Sequence, residues 1–108
     1  MSSFKDFKDL DIWLVKVLEC RSCPNSTSLI ELKIDIGENQ TRTIVTAIKE
    51  WYSTEDLLGE YVLVTLNMPM DSLKSEGVLL AIDAENSAVL LKPDKKYFDK
   101  VKPGMKLA

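Results

Sequence analysis

"SLIELKIDIGE", residues 28–38, decides the fold. Ile30, Leu32, Ile34 and Ile36 alternate with Glu31, Lys33 and Asp35. Successive side chains on a strand point to opposite faces, so this is a half-buried strand with one wet face. Gly37 to Gln40 makes the turn, and "TRTIVTAI", residues 41–48, returns as the next strand. On it Arg42, Ile44 and Thr46 share one face, and Thr43, Val45 and Ala47 share the other.

Towards the N-terminus, "DIWLVKVLEC", residues 11–20, is rich in β-branched and aromatic residues and reads as a strand. Before it, Phe4, Phe7 and Leu10 recur every three residues behind Ser3, a candidate cap. That spacing predicts a short amphipathic helix, which must dock on the domain or on a second subunit. Towards the C-terminus, "STEDLLG", residues 53–59, breaks the β pattern. Ser53 suits a cap, Glu55 and Asp56 suit the positive end of a helix, and Gly59 suits its stop. "EYVLVTL", residues 60–66, is a fourth strand and "GVLLAID", residues 77–83, a fifth. "AVLLKP", residues 88–93, can pair with the fifth across "DAENS", and a last short strand follows the Pro103-Gly104 turn.

Several short strands separated by turns predict a mainly all-β chain, a small sandwich or barrel. A short helix between strands three and four, with another at the N-terminus, fits the OB-fold. That fold is a five-stranded Greek-key barrel that often binds oligonucleotides.

At 108 residues, 45% apolar and 29% charged, the chain is long enough for one hydrophobic core, so residues 1–108 are expected to form a single domain. No apolar run approaches the roughly 18–20 residues that span a membrane, and the charged start is unlike a secretory signal. The expected location is cytoplasmic, with no membrane partner. Net charge is −3, but residues 92–106 hold six lysines and two aspartates, so that tail is +4 and the rest −7. The tail is either a positive surface for an anionic partner or a solvated end.

Catalytic chemistry finds little support. There is no histidine, no phosphate-binding glycine loop and no nucleophile motif. The chain is therefore expected not to be an enzyme and to need no cofactor. Cys20 and Cys23 have the C-x-x-C spacing, but a zinc site needs four ligands and these are the only cysteines. A redox pair usually opens a helix, whereas here a strand precedes and Pro24 follows. No metal site is expected within one chain. Trp13, Trp51, Tyr52 and Tyr61 are either base-stacking platforms or packing residues. Lys33 and Arg42, on adjacent strands, either meet phosphate together or belong to a mixed-charge face with Glu31 and Asp35.

Several motifs then resemble a known family. They are Pro24-Asn25-Ser26-Thr27-Ser28-Leu29, Lys33-Ile34-Asp35-Ile36-Gly37, Arg42-Thr43-Ile44-Val45-Thr46-Ala47 and Ser75-Glu76-Gly77-Val78. They are similar to the tRNA-binding domain that occurs fused to methionyl-tRNA synthetases and within the bacterial phenylalanyl-tRNA synthetase β subunit. The same domain occurs in a multisynthetase-complex cytokine precursor and as free-standing proteins, among them CsaA-type chaperones. The likeness runs from Phe4 to Pro103-Gly104.

The resemblance implies an OB-fold, a homodimer and recognition of tRNA or structured RNA by shape rather than by one anticodon. It implies a Ser-Glu-Gly turn on the RNA-facing side, with Gly77 allowing the sharp bend. On that basis Arg42 and Lys74 are expected to meet phosphates, and Asn25, Ser28, Ser75 and Glu76 to hydrogen-bond. An aminoacyl-tRNA synthetase is an expected partner.

The chain also departs from the family pattern. Cys23 stands where the family has His, and Ser26-Thr27-Ser28 replaces Ala-Asp-Lys. Trp13-Leu14-Val15 replaces Arg-Val-Gly. The basic loop before Ser75 is cut to "NMPMDSLK". Fewer cations predict weaker binding and milder salt dependence. Two rival readings follow: a CsaA-like chaperone holding precursor polypeptides in an apolar groove near Met68, Met70 and Trp13, or a protein-docking module.

Overall fold

The computed structural model describes residues 11–24, 26–66 and 75–107. The helix expected over residues 3–10, Asn25, Lys74 and both groove methionines lie outside them. The strands are β1 (Ile12–Ser22), β2 (Ile30–Gly37), β3 (Gln40–Thr46), β4 (Tyr61–Thr65), β5 (Val78–Leu79), β6 (Ala81–Ala84) and β7 (Ser87–Leu90). One turn of helix, α1 (Thr54–Leu57), joins β3 to β4, and a 3₁₀ segment spans Lys95–Lys100.

Five strands form one antiparallel sheet in the order β3–β2–β1–β4–β5, and β6 and β7 form a separate hairpin. The sheet curls because β1 serves two neighbours. Its first half pairs with β4, from Ile12 opposite Thr65 to Lys16 opposite Tyr61. Its second half pairs with β2, from Lys16 opposite Asp35 to Ser22 opposite Ile30. A bulge between Val17 and Glu19 bends the strand where the two halves meet, as an extra unpaired residue does.

The alternation read from β2 is the core. Ile30, Leu32 and Ile34 are fully buried and Ile36 nearly so, while Lys33 is exposed. Val15, Val17, Ile44, Leu57, Val62 and Val64 are fully buried with them, and Leu14, Ile48, Leu79 and Leu90 nearly so. Leu57 belongs to α1, so the helix plugs the barrel. Burying such a side chain contributes roughly 1.5–3 kcal/mol. The one-turn helix survives because its end is capped. Ser53 Oγ accepts from Asp56 N at 3.2 Å, and Asp56 Oδ2 accepts from Ser53 N at 2.9 Å. This capping box satisfies two orphan donors at once. The Ser53 hydrogen bonds hold the Asp56 carboxyl below the usual carboxylate range.

Two sequence expectations are refined. The strand expected over 77–83 is two strands: β5 pairs with β4, and the chain leaves the sheet at Leu80 so that β6 can pair with β7. The last strand is three backbone bonds along β1. Leu14 N donates to Met105 O (2.7 Å), Gly104 N to Leu14 O (2.8 Å) and Leu107 N to Ile12 O (2.9 Å). Gly104 is required there. Its φ is +95°, and a Cβ on it would lie 2.6 Å from the Ile36 carbonyl oxygen. The architecture is a curled five-stranded OB-fold barrel with the expected helix between β3 and β4. Among the described residues no helix is long and apolar enough to cross a membrane.

Candidate nucleic-acid interface

The barrel closes between β3 and the segment that leads into β5. Glu76 N donates to Thr43 O at 2.8 Å. The returning bond uses a side chain: Thr43 N donates to Glu76 Oε1, also at 2.8 Å. Two residues on, Val45 N donates to Ser75 Oγ at 2.9 Å, and that hydroxyl donates to Gly77 O at 2.7 Å. Ser75 is 3% exposed, so both hydrogen-bonding functions of its hydroxyl are spent inside the protein. Glu76 is exposed and keeps its second carboxylate oxygen outside this closure.

The chain bends at Glu76 and Gly77 as expected, and Gly77 has a second, steric reason to be glycine. It is not among the residues of positive φ. A Cβ on it would lie 2.5 Å from the Thr65 carbonyl oxygen and 3.0 Å from Ile44 Cδ1. Glycine lets the segment cross tightly over β4.

Arg42 sits on β3 beside this closure, next to Thr43. Its partner across the ladder is Ile34, whereas Lys33 faces Thr43. Arg42 and Lys33 therefore project from opposite faces of the sheet and cannot hold one phosphate together. The cause is a one-residue register shift between Asp35 and Gly37. A shift of one flips every side chain of a strand to the other face. Here it puts Ile44 opposite Leu32 in the core and carries Arg42 to the same side, half-exposed.

The wet face of β1–β3 is self-neutralised. Arg21 donates to both oxygens of Glu31, at 3.0 and 3.2 Å, and Lys33 Nζ lies 3.2 Å from Glu19. This is the mixed-charge arrangement.

Ser28 is exposed in the loop between β1 and β2. Ser26 Oγ shapes that loop by accepting from Ser28 N (3.2 Å) and Leu29 N (3.0 Å). Lys49 ties it down: its backbone N donates to Ser28 O at 3.2 Å, and its Nζ reaches Ser26 O at 3.5 Å. Sequence reasoning missed Lys49. It brings an ammonium to the Ser26–Ser28 loop, from 23 residues along the chain from Ser26.

Each of the four candidate aromatic platforms has a partner within the protein, although Trp51 stays 38% exposed. Trp51 Nε1 donates to Asn86 O at 2.9 Å, and Tyr52 OH accepts from Leu90 N at 3.1 Å, so both strap the β6–β7 hairpin to the barrel. Trp13 lies under the Lys106 ammonium, 4.8 Å from its ring centre. Tyr61 meets Phe98 edge-on, with ring centres 5.6 Å apart. Cys20 and Cys23 are half-buried free thiols, and burial pushes the Cys20 pKa up, away from a reactive thiolate. Among the described residues no three potential ligands cluster for a metal.

Known proteins share this frame. The chain is 38% identical over 96 residues to a methionine–tRNA ligase of Pyrococcus horikoshii, covering 86% of this chain and 13% of that protein. The chain thus spans about an eighth of the length of such relatives. The crystal structure of the chaperone CsaA from Bacillus anthracis superposes with a TM-score of 0.81 at 28% identity, covering 100% of this chain and 99% of the other. A MetRS-related protein from Pyrococcus horikoshii shares the fold at a TM-score of 0.85 and 22% identity, covering 100% and 98%. The sequence signature of the tRNA binding domain matches residues 12–105, from the start of β1 through the Pro103-Gly104 turn that closes on it, and the chain belongs to that family.

Proposed function

We propose that this chain binds tRNA, or another structured RNA, without catalysing a reaction. One observation carries the reading: the tRNA binding domain signature covers residues 12–105, which hold every described strand. The geometry of the closure supports it with a surface. Arg42 on β3 and Lys74 just before Ser75 would meet phosphates. Asn25, Ser28 and the free oxygen of Glu76 would hydrogen-bond. Ser75 would act by positioning, since its hydroxyl holds Val45 and Gly77. Lys49 joins the set beside Ser28. Phosphate and 2′-hydroxyl contacts of this kind read the shape of folded RNA.

In this reading residues 1–108 act as one domain in the cytoplasm, as a homodimer with two equivalent sites. They assist an aminoacyl-tRNA synthetase, in keeping with the methionine–tRNA ligase relatives. A second reading has its own observation, the likeness to the Bacillus anthracis chaperone CsaA. It is capture of unfolded polypeptide, in a groove other than the one expected near Trp13: Leu14, Leu63, Pro93, Val101, Met105 and Leu107 line it, together with Lys92 and Lys106.

The test is a titration against total tRNA, with unstructured RNA as control, at low and physiological salt. Tighter binding of tRNA that weakens as salt rises is the expected result, because each neutralised phosphate releases counterions. Arg42→Ala with Lys74→Ala should weaken it. Unchanged affinity in that folded double variant sinks the site assignment. Salt-resistant suppression of client aggregation, with no tRNA binding, favours the polypeptide reading.

A further inference from the structure

The 3₁₀ segment displays several cations beside an exposed aromatic ring. Its N-terminal end is capped twice by Asp94. Asp94 Oδ1 accepts from Lys96 N at 2.9 Å, and Asp94 O accepts from Tyr97 N at 3.0 Å. Phe98 is the anchor, edge-on against Tyr61 at the start of β4. Tyr97 is left 48% exposed, with Lys96 Nζ 5.4 Å from its ring centre.

Only part of the charge around it is committed to ion pairs. Lys92 pairs with Glu60 and Lys106 with Asp11, each at 2.9 Å. Among the described residues Lys95, Lys96, Lys100 and Lys102 form no ion pair, and one of the two nearby aspartates, Asp94, serves as the cap. An acidic body therefore carries a strip of net positive charge, kinked at Tyr97 (φ −117°, ψ 21°).

We propose that this strip is a contact for unpaired nucleotides, with Tyr97 stacking on a base and Lys95, Lys96 and Lys100 meeting the flanking phosphates. The proposal rests on the RNA-binding reading above and adds a second surface to it. Lysines alone would serve any polyanion. The exposed ring decides the class. Base stacking on an aromatic is the added attraction that a nucleic acid gains and an acidic protein surface does not. It also decides the strand state, because bases within a duplex are stacked on each other and only an unpaired base can reach a surface ring. Lys96 lies over Tyr97, which leaves a cation, a ring and an incoming base to stack in series.

The experiment measures affinity by anisotropy for total tRNA, an oligouridylate of about eight nucleotides, a blunt RNA duplex and an acidic peptide. It uses the full chain, Tyr97→Ala, Tyr97→Phe, and the triple reversal Lys95→Glu, Lys96→Glu, Lys100→Glu, each checked for native unfolding behaviour. Tyr97→Ala should weaken oligouridylate binding about tenfold and leave the duplex unchanged, the size expected for one lost stack. Tyr97→Phe should restore it. The triple reversal should weaken oligouridylate and tRNA together by at least about tenfold and flatten the salt dependence. If the native chain binds tRNA and these variants match it on every RNA, the strip is idle and the barrel site stands alone. If the native chain binds no RNA even at low salt, both readings fall. If only acidic-peptide binding is lost in the triple reversal, the strip serves a protein partner and the proposal is overturned.

Discussion

The barrel has two kinds of joint. Along β1 and β2 the joint is a main-chain ladder, with side chains only decorating it. Between β3 and Ser75–Gly77 the joint is made largely by side chains: the Glu76 carboxylate takes the place of a carbonyl, and the Ser75 hydroxyl accepts the next β3 amide. A ladder tolerates any residue that fits the pleat. A side-chain joint is written into particular residues, here the ones that the family motif contains. The closure of the fold and the proposed RNA surface thus share Ser75 and Glu76, so stability and binding must be separated by experiment at this joint and need not be at the ladder.

The largest expected effect is Gly77→Ala. The new methyl would meet the Thr65 carbonyl oxygen, which is backbone and cannot swing aside. The loss should reach about 3 kcal/mol or more, at the upper end for overpacking. A chemical denaturation midpoint within error of the native chain would show that β4 yields at Thr65. Ser75→Ala comes next. It leaves Val45 N without its acceptor and Gly77 O without its donor, at a cost of about 1–3 kcal/mol. Threonine should not rescue it fully, because the site is almost completely buried.

Glu76→Gln should cost less than Ser75→Ala, since an amide oxygen can still accept from Thr43 N on this exposed residue. Glu76→Ala removes the acceptor and should cost about 1 kcal/mol. Hydrogen exchange at Thr43 gives the direct reading. Its amide should exchange faster in Glu76→Ala and stay close to native in Glu76→Gln. Equal protection in both would mean that the carboxylate does not hold the joint.

Much of this fold is legible in the residues. The period-two run of Ile30 to Ile36 marks β2, and Ser53 with Asp56 marks the capped turn of α1. Less legible is anything that depends on register. The turn at Glu38-Asn39, with φ of +55° and +61°, is the hairpin type that a sequence reader can place. The single extra residue beside it is not announced by any residue type, yet it sends Arg42 and Lys33 to opposite faces. Nor can spacing reveal that Lys49 reaches the Ser26–Ser28 loop, or that Trp51 and Tyr52 are spent on the β6–β7 hairpin. These are contacts between distant segments, fixed only when the barrel closes. The tail was readable as positive, but its value as a surface depends on which lysines find carboxylates, and that is a tertiary fact.

The ladder supplies the smallest effect and the control. Arg21 and Glu31 form a two-pronged ion pair on the wet face, in register across β1 and β2. Arg21 is well exposed, so solvent screens the pair and Arg21→Ala should leave the denaturation midpoint close to native. The Glu31 carboxylate raises the Arg21 pKa through its hydrogen bonds, yet that charge is already answered within the protein. An answered cation has less to offer a phosphate than a free one. RNA affinity should therefore stay within about twofold of native in Arg21→Ala, while the Lys95, Lys96 and Lys100 reversal lowers it at least about tenfold. Were Arg21→Ala to weaken RNA binding as much as the reversal, the pairing of cations would not be what distinguishes the two surfaces. The β1–β3 face would then have to be counted as part of the binding site.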